Sequence, residues 1–221
     1  MAEWYPVMLR MEGKLAVVIG GGPVAERKVC GLLEAGAQIR VVSPELTEGL
    51  RTLAEVGRLE WRQKEAEASD LAGATLVFAA AGSSEANLRI TAAAAASGIP
   101  VNAAEDGEAG DFILPAVLRR GRFILTASVS GAGPALASRV VRELETRYGP
   151  EYAEYADELR RIRRIVKERV SSREERRRLL AAAAETDALE EWRTTGIAAE
   201  PDRLLERLRD RAGSGQDREK R

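Results

Sequence analysis

The chain has 221 residues, enough for one large domain or two modest ones, and 45% of them are hydrophobic and 31% charged. Its net charge of -1 gives no general attraction to nucleic acid, and no apolar run approaches the roughly 18 residues of a membrane span. A single cysteine excludes an internal disulfide, and the absence of histidine removes the commonest general base and transition-metal ligand, so acid–base chemistry falls to Asp, Glu, Lys or Tyr.

The most informative stretch covers residues 14–33. Leu15–Ile19 is an apolar run that predicts a short buried strand, three glycines follow it, and the next residues repeat apolar side chains at helical spacing. Gly20, Gly22 and Ala25 fit the G-x-G-x-x-G/A pattern, which carries meaning between a strand and a helix. Such a turn lets the backbone approach a pyrophosphate, whose charge the helix N-terminus favours. The alternative is a glycine-rich turn that binds nothing.

The following segments alternate between strand and helix patterns. Strands are predicted at Gln38–Val42, Leu59–Gln63, Leu76–Ala80 and from Ile99 onwards, and helices at 43–56 and 84–97. Strands that alternate with helices at this spacing indicate βαβ units. We therefore predict an α/β fold with a Rossmann-type parallel sheet.

The cofactor is expected at the ends of these strands, because α/β sheets bind ligands at the carboxyl ends of their strands. NAD sites usually carry an acidic residue about 20 residues beyond the glycines, whereas here Ser43 follows the second strand and Glu45 comes two positions later. Either these two residues together bind the ribose hydroxyl, or the preference between NAD and NADP is weak. No arginine follows immediately to bind a 2′-phosphate, so we favour NAD. The predicted contacts are Gly20, Gly22, Pro23 and Val24 at the pyrophosphate, Ser43, Pro44 and Glu45 at the ribose, and Ala81, Gly82 and Asn102 at the fourth and fifth strand ends.

The character of the chain changes after Asn102. A carboxylate-rich loop covers 103–111, and a second small-residue turn covers 128–134. The further predicted elements are strands at Phe112–Leu118 and Phe123–Val129, a helix from Ala135 to Tyr148, helical sequence from Glu151 to Arg211 interrupted at Gly196 and Pro201, and a disordered end at 212–221. We therefore predict a Rossmann domain at 1–115, a dimer-forming strand and helix segment at 116–150, and a helical domain at 151–221.

Two arginine-rich stretches, Arg160–Arg164 and Arg176–Arg178, lie in the helical region. They could form a nucleic-acid face, but carboxylates are interspersed, aromatic residues are few and the whole chain is near neutral. A solvated helical surface is the favoured interpretation. A third interpretation is that some of these arginines face an anionic substrate.

Several motifs together resemble the precorrin-2 dehydrogenase/sirohydrochlorin ferrochelatase family, the dehydrogenase module of siroheme synthases. They occur in order over residues 4–150, and the run of three glycines followed by Pro-Val-Ala-Glu-Arg-Lys is far more specific than a bare glycine pattern. The motifs are Tyr5-Pro6-Val7, Val18–Lys28, Val42-Ser43-Pro44, Asn102 with its acidic loop, Asp111–Ala116 and Ser130–Ala137.

The resemblance implies an oxidation of precorrin-2 to sirohydrochlorin in which NAD takes the hydride, followed in some members by insertion of Fe2+. It also implies a homodimer, and we expect a stand-alone cytoplasmic enzyme that binds neither nucleic acid nor membranes. Two other functions stay open. One is a non-catalytic NAD-sensing protein, and the other is a chelatase, for Fe2+ or Co2+, without dehydrogenase activity.

The resemblance also implies a proton-transferring aspartate in the loop after the fifth strand. Here Glu105 and Asp106 both fit that position, and Asp106 has the matching residue type. Removal of a hydride leaves protons to be shed, and without histidine a carboxylate is the natural acceptor. The second turn lacks the serine that the family carries before its proline, so Ser128 and Ser130 are predicted to supply the hydroxyl, and chelation is less supported than oxidation. The tetrapyrrole carries many carboxylates, for which Arg119, Arg120, Arg122 and Arg139 are predicted anchors.

Overall fold

The computed structural model describes residues 4–104, 109–130, 133–195 and 200–218. They divide into two compact units. The first comprises the chain up to Leu114 together with Ser130, and the second comprises Pro115–Val129 and the chain from Gly133 onwards. The separate dimer-forming segment at 116–150 stays a prediction.

The first unit is built on a five-stranded parallel sheet with the strand order β3-β2-β1-β4-β5. Its strands are β1 (Leu15–Ile19), β2 (Gln38–Val42), β3 (Glu60–Arg62), β4 (Leu76–Ala79) and β5 (Val101–Ala103). Its helices are α1 (Pro23–Glu34), α2 (Glu48–Glu55) and α3 (Ser84–Ala96), with a 3-10 turn at Ala68–Leu71. The parallel α/β architecture predicted from the sequence is confirmed.

The central strand β1 shows why its sequence is a continuous apolar run. Ala16 and Val18 pack into the core that includes α1, whereas Val17 and Ile19 pack into the core that includes α3. Both faces of the sheet are therefore covered, and a strand in that position cannot alternate apolar with polar residues.

The helix after β2 begins later than predicted. Thr47 caps α2 by accepting a hydrogen bond from the backbone N–H of Leu50 at 3.3 Å. The chain between Ser43 and Thr47 is consequently a loop at the carboxyl end of β2. Sequence spacing did not distinguish Ser43 from Thr47 as the cap, because both are good N-cap residues.

In its described residues, the second unit joins a hairpin to five helices. The hairpin pairs β6 (Ala116–Arg120) with β7 (Phe123–Ala127) in antiparallel register. The helices are α4 (Pro134–Arg147), α5 (Glu151–Arg169), α6 (Arg173–Ala183), α7 (Thr186–Thr195) and α8 (Pro201–Arg218). The first predicted strand of this hairpin, Phe112–Leu118, is wrong in its bounds, because β6 covers Ala116–Arg120. Phe112 lies before β6 and packs against the core of the first unit.

The helical part has a core of its own around Trp192. This side chain is 1% exposed, packs with Ile162, Leu179 and Leu204, and donates its indole N–H to the carbonyl of Ala183 at 2.9 Å. The breaks after α5 and α6 were not predicted. Ser172 starts α6 by accepting from the backbone N–H of Glu175, a cap that an arginine-rich and glutamate-rich pattern conceals.

The last helix is longer than predicted. It extends to Arg218, past the start of the polar segment at 212–221 that composition predicts to be disordered. Among the helices of the described ranges, none has the length and apolar character needed to cross a membrane.

Candidate nucleotide-binding site

The glycine turn lies between β1 and α1 and is closely packed. Gly20 has φ 111°, a conformation that side chains with a Cβ rarely adopt, and its N–H donates to the carbonyl of Val42 at 2.9 Å. A Cβ at Gly20 would overlap the carbonyl of Ala80, and one at Gly21 would overlap the carbonyl of Glu45. Glycine is therefore required at both positions to bring the turn against the ends of β2 and β4.

Gly22 faces open space instead. It is the N-cap of α1, and among the residues that the structure describes no side chain caps this helix and a Cβ there would meet nothing within 4 Å. Pro23 occupies the first turn, where its missing N–H costs nothing. The N–H groups of Val24 and Ala25 have no intrahelical acceptor, and the first intrahelical bond runs from the N–H of Glu26 to the carbonyl of Gly22 at 3.0 Å. This open, uncapped helix start fits a pyrophosphate. Gly20, Gly22, Pro23 and Val24 all lie at this turn, and their contact with the cofactor stays a prediction.

The predicted ribose contacts lie beside this turn. Thr47 donates its backbone N–H to the carbonyl of Gly21 at 2.9 Å, which holds the loop after β2 against the glycines. Ser43 is 9% exposed, and its carbonyl accepts the indole N–H of Trp61 at 3.0 Å. Pro44 and Glu45 are exposed. The structure thus brings Ser43, Pro44 and Glu45 to the same edge as the glycines.

The loop after β4 is held by a residue that the sequence reasoning missed. Asn87, in the first turn of α3, accepts from the N–H of Ala81 at 2.9 Å and donates to its carbonyl at 3.0 Å. Asn87 is 6% exposed, whereas a Cβ at Gly82 would meet nothing within 4 Å in the described part of the chain. Ala81 is therefore fixed, and Gly82 is open at the sheet edge. An isolated amide in an otherwise alanine-rich helix was the available signal.

Asn102 is buried on β5 with both ends of its amide bonded to protein groups. Its Nδ2 donates to the carbonyl of Phe112 at 2.9 Å, and its Oδ1 accepts from Lys28 Nζ at 2.6 Å. Lys28 also lies over the Phe78 ring, 5.5 Å from its centroid. Burial, and secondarily the charge of Arg27, lowers the pKa of Lys28. Asn102 thus ties α1, β5 and the segment after the acidic loop together, and its direct contact with a cofactor stays a prediction.

The acidic loop starts and returns at β5. Ala104 donates its N–H to the carbonyl of Ala79 at 3.0 Å, so the loop leaves from the carboxyl edge of the sheet. Asp111 bonds the backbone of Val101 twice, through its own N–H at 2.8 Å and through its carboxylate, which accepts at 2.9 Å. Asp111 is therefore a structural residue. The predicted catalytic acids Glu105 and Asp106 lie outside the described residues.

A buried carboxylate pairs with two cations at and just after the end of β3. Asp70, 1% exposed, pairs with Arg62 at 2.8 Å and with Lys64 at 3.0 Å, and it accepts the backbone N–H of Glu67 at 3.0 Å. Burial alone would raise the pKa of Asp70, but the hydrogen bonds from Arg62 and Glu67 hold it below its usual value. Arg62 lies at the same edge of the sheet as Ser43, because the N–H of Ser43 donates to the carbonyl of Arg62.

The predicted substrate contacts belong to different units. Ser130, exposed with φ 52°, belongs to the first unit, whereas Ser128 and the arginines belong to the second. Arg139 pairs with Glu143 at 3.5 Å and Arg122 with Asp157 at 3.0 Å, both on the surface. Arg119 and Arg120 are half-buried on β6, and the Nε of Arg120 is the one buried side-chain nitrogen or oxygen without a hydrogen bond in the described part of the chain. Their roles toward a tetrapyrrole stay predictions.

Comparison with known proteins agrees with this geometry. A family model described as NAD(P)-binding matches residues 7–116, so the predicted dinucleotide cofactor is confirmed. A siroheme synthase of Pseudomonas paraeruginosa is 34% identical over 204 residues, which are 92% of this chain and 44% of the relative. A siroheme synthase of Methylobacillus flagellatus is 36% identical over 176 residues, 79% of this chain and 38% of the relative. The chain thus spans less than half the length of these curated relatives.

A solved structure is similar over almost the whole chain. The precorrin-2 dehydrogenase SirC superposes with a TM-score of 0.73 at 25% sequence identity, covering 94% of this chain and 100% of SirC. The sequence motifs and these matches agree. The chain therefore belongs to the family of precorrin-2 dehydrogenases and siroheme synthases, as its motifs predicted.

Proposed function

We propose that the protein oxidises precorrin-2 to sirohydrochlorin with NAD+. The observation that carries the proposal is the shared edge of the first unit: the open N-terminus of α1, the loops after β2 and β4, and the start of the acidic loop all lie at the carboxyl ends of the parallel strands. The relationship to SirC and to siroheme synthases supports precorrin-2 as the substrate.

The chain's own groups would hold the dinucleotide. The first turn of α1 offers N–H groups and a partial positive charge to the pyrophosphate, and Gly22 leaves room for close approach. When bound, NAD+ supplies the hydride acceptor. The exposed carboxylate of Glu45 disfavours a 2′-phosphate at the ribose, and Asp70 already neutralises Arg62, so we assign NAD rather than NADP.

A carboxylate of the acidic loop would take the proton. Glu105 and Asp106 follow Ala104 directly, and Ala104 is bonded to the last residue of β4. General-base assistance of this kind is typically worth about 10²–10⁴ in rate. We assign the base to Asp106, with Glu105 as its alternative. Metal insertion, homodimer formation and the arginine anchors stay predictions.

The test is an incubation of the full chain with precorrin-2 and NAD+, with NADH formation followed by absorbance. Asp106→Ala or Glu105→Ala is expected to lower turnover by about 10² or more while the affinity for NAD+ survives. The Glu108→Ala variant, in the same loop, is the matched control and should keep turnover. Full turnover in the single and double acid variants would refute the catalytic assignment.

Two other results would replace the proposal. Binding of NAD+ without any oxidation of precorrin-2 would indicate a sensing protein. Insertion of Fe2+ or Co2+ into sirohydrochlorin, without NAD-dependent oxidation, would indicate a chelatase.

A further inference from the structure

The second unit carries a groove between α5 and α6 that the proposed function does not use. The groove has a volume of about 750 Å³ and is lined by five cations, one carboxylate and one leucine: Arg163, Lys167, Arg173, Arg176, Arg177, Glu174 and Leu180. Two of the cations come from α5 and three from α6. Five positive charges against one negative charge leave the walls with a net charge of +4.

The groove differs from α8 in how its charges are paired. On α8, Arg207 pairs with Glu191 at 2.7 Å and Arg209 with Glu175 at 2.9 Å. Arg211 also pairs with Glu191, at 2.8 Å. Within the described ranges, by contrast, no carboxylate forms an ion pair with any of the five groove cations. Glu175, the residue after Glu174, is the partner of Arg209 on α8 and is not among the residues that line the groove.

This arrangement is unfavourable for the stability of the two helices. Arg163 and Lys167 are four positions apart on α5, as are Arg173 and Arg177 on α6, and like charges at that spacing repel. Arg173 is also the first residue of α6, where the helix dipole disfavours a cation. Both charge effects oppose the stability of the helices, and a bound anion would relieve them.

We propose that this groove binds a small organic polyanion, whose carboxylate or phosphate groups are held by guanidinium groups from both walls. Guanidinium binds either group through two parallel hydrogen bonds. The volume falls in the range of about 300–1,000 Å³ that is typical of small-molecule sites. Among the described residues, no aromatic side chain lines the groove for base stacking, which a site for single-stranded nucleic acid would use.

Two sources could supply such a ligand. One is a tetrapyrrole of the proposed reaction, and this part of the inference rests on the proposed function. The other is a phosphorylated metabolite, which does not depend on it. Sirohydrochlorin and inorganic tripolyphosphate are probes that separate the two.

The test is calorimetric titration of the full chain with each probe, at an ionic strength kept constant because exposed charges are screened by salt. The groove variant is Arg163→Gln/Arg176→Gln, which removes one cation from each wall. The matched control is Arg161→Gln/Arg178→Gln, which removes two exposed cations of the same helices outside the groove. We expect saturable binding of at least one probe, about tenfold or more weaker in the groove variant and unchanged in the control.

Each result decides the inference independently of the catalytic assay. Sirohydrochlorin held at the catalytic site would remain bound in the groove variant, so only the binding that this variant loses belongs to the groove. Equal affinities in the groove variant and the control, no saturable binding of either probe, or tighter binding of a single-stranded oligonucleotide would each overturn it. Circular dichroism of both variants establishes that the helices are intact.

Discussion

The contact between Lys28 and Asn102 offers the sharpest test of how the first unit is held together. Lys28→Met keeps a long apolar side chain beside Phe78 but removes the ammonium that lies 2.6 Å from Asn102 Oδ1. Asn102 is 5% exposed, so its oxygen would lose its partner at a cost of about 1–3 kcal/mol. Loss of the cation–π contact adds about 0.5–1 kcal/mol to this cost. The variant also removes the desolvation penalty of the partly buried ammonium, which offsets part of the destabilisation. We expect a net destabilisation of about 2 kcal/mol.

The same lysine gives a pH dependence whose sign follows from its lowered pKa. Because burial lowers the pKa of Lys28 in the folded state, the unfolded chain binds more protons between that value and 10.5. Stability therefore rises with pH across this window, as the penalty for burying the charge disappears. In Lys28→Met this contribution to the rise is absent.

The assay is hydrogen exchange of the backbone amides of α1 and β5 in the full chain, which reports the free energy of opening in the first unit alone. Asn102→Leu and the double variant complete a cycle, in which the Lys28 effect should largely disappear once Asn102 is absent. An unchanged opening free energy in Lys28→Met, or an effect of equal size in the Asn102→Leu background, would refute the reasoning.

Three further predictions concern single positions. Gly20→Ala introduces a Cβ at φ 111° against the carbonyl that follows β4, so it should abolish binding of NAD+ in calorimetry. Asp70→Asn should destabilise the chain by about 2–3 kcal/mol in urea unfolding at neutral pH, because Arg62 loses its buried partner. Since the pKa of Asp70 is lowered by folding, its contribution is present above 3.8 and lost as pH falls through the folded value, so the variant loses less stability on acidification. Trp192→Phe loses the 2.9 Å bond to Ala183 and should lower the melting temperature without changing NAD+ affinity.

Each of these predictions has a contradicting result, and the first also has a matched control. For Gly20, a wild-type affinity for NAD+ in the alanine variant would exclude the close packing described, and Gly22→Ala, which meets open space, should fold normally. For Asp70, an acid-unfolding profile identical to that of the wild type would contradict the pKa argument. For Trp192, weakened NAD+ binding would show that the helical core and the nucleotide site are not energetically separate.

The dinucleotide fold was predictable because its signals are local. The glycine turn needs residues that tolerate a positive φ and a close backbone approach. Both requirements are met by adjacent glycines, Gly20 and Gly21, which are visible in the sequence. The buried strand β1 needs apolar residues on both faces, which gives a continuous run. Helix boundaries were predicted less well, since Thr47 and Ser172 cap helices in places where other residues could have done so.

The contacts of the site were less predictable because they join residues far apart in the chain. Lys28 and Asn102 are 74 positions apart, and no local pattern shows that their side chains meet. Asp111 was recognised as one of several acids in a loop, but its bond to the N–H of Val101 distinguishes it from the others only in the folded chain. The pairing of Asp70 with Arg62 and Lys64 likewise depends on a 3-10 turn that the sequence did not reveal.

The sequence by itself determined the α/β class and the family, and it predicts a nucleotide at the glycine turn, because these depend on backbone requirements met by consecutive residues. Only the tertiary structure decided which charges are neutralised. Arginines of α8 and of the α5–α6 groove look alike along the chain. Arg207 and Arg209 nevertheless pair with carboxylates of other helices, whereas Arg163 and Arg176 pair with none in the described ranges. The reason is physical: an ion pair needs its two groups within about 4 Å, and packing of the helices sets that distance.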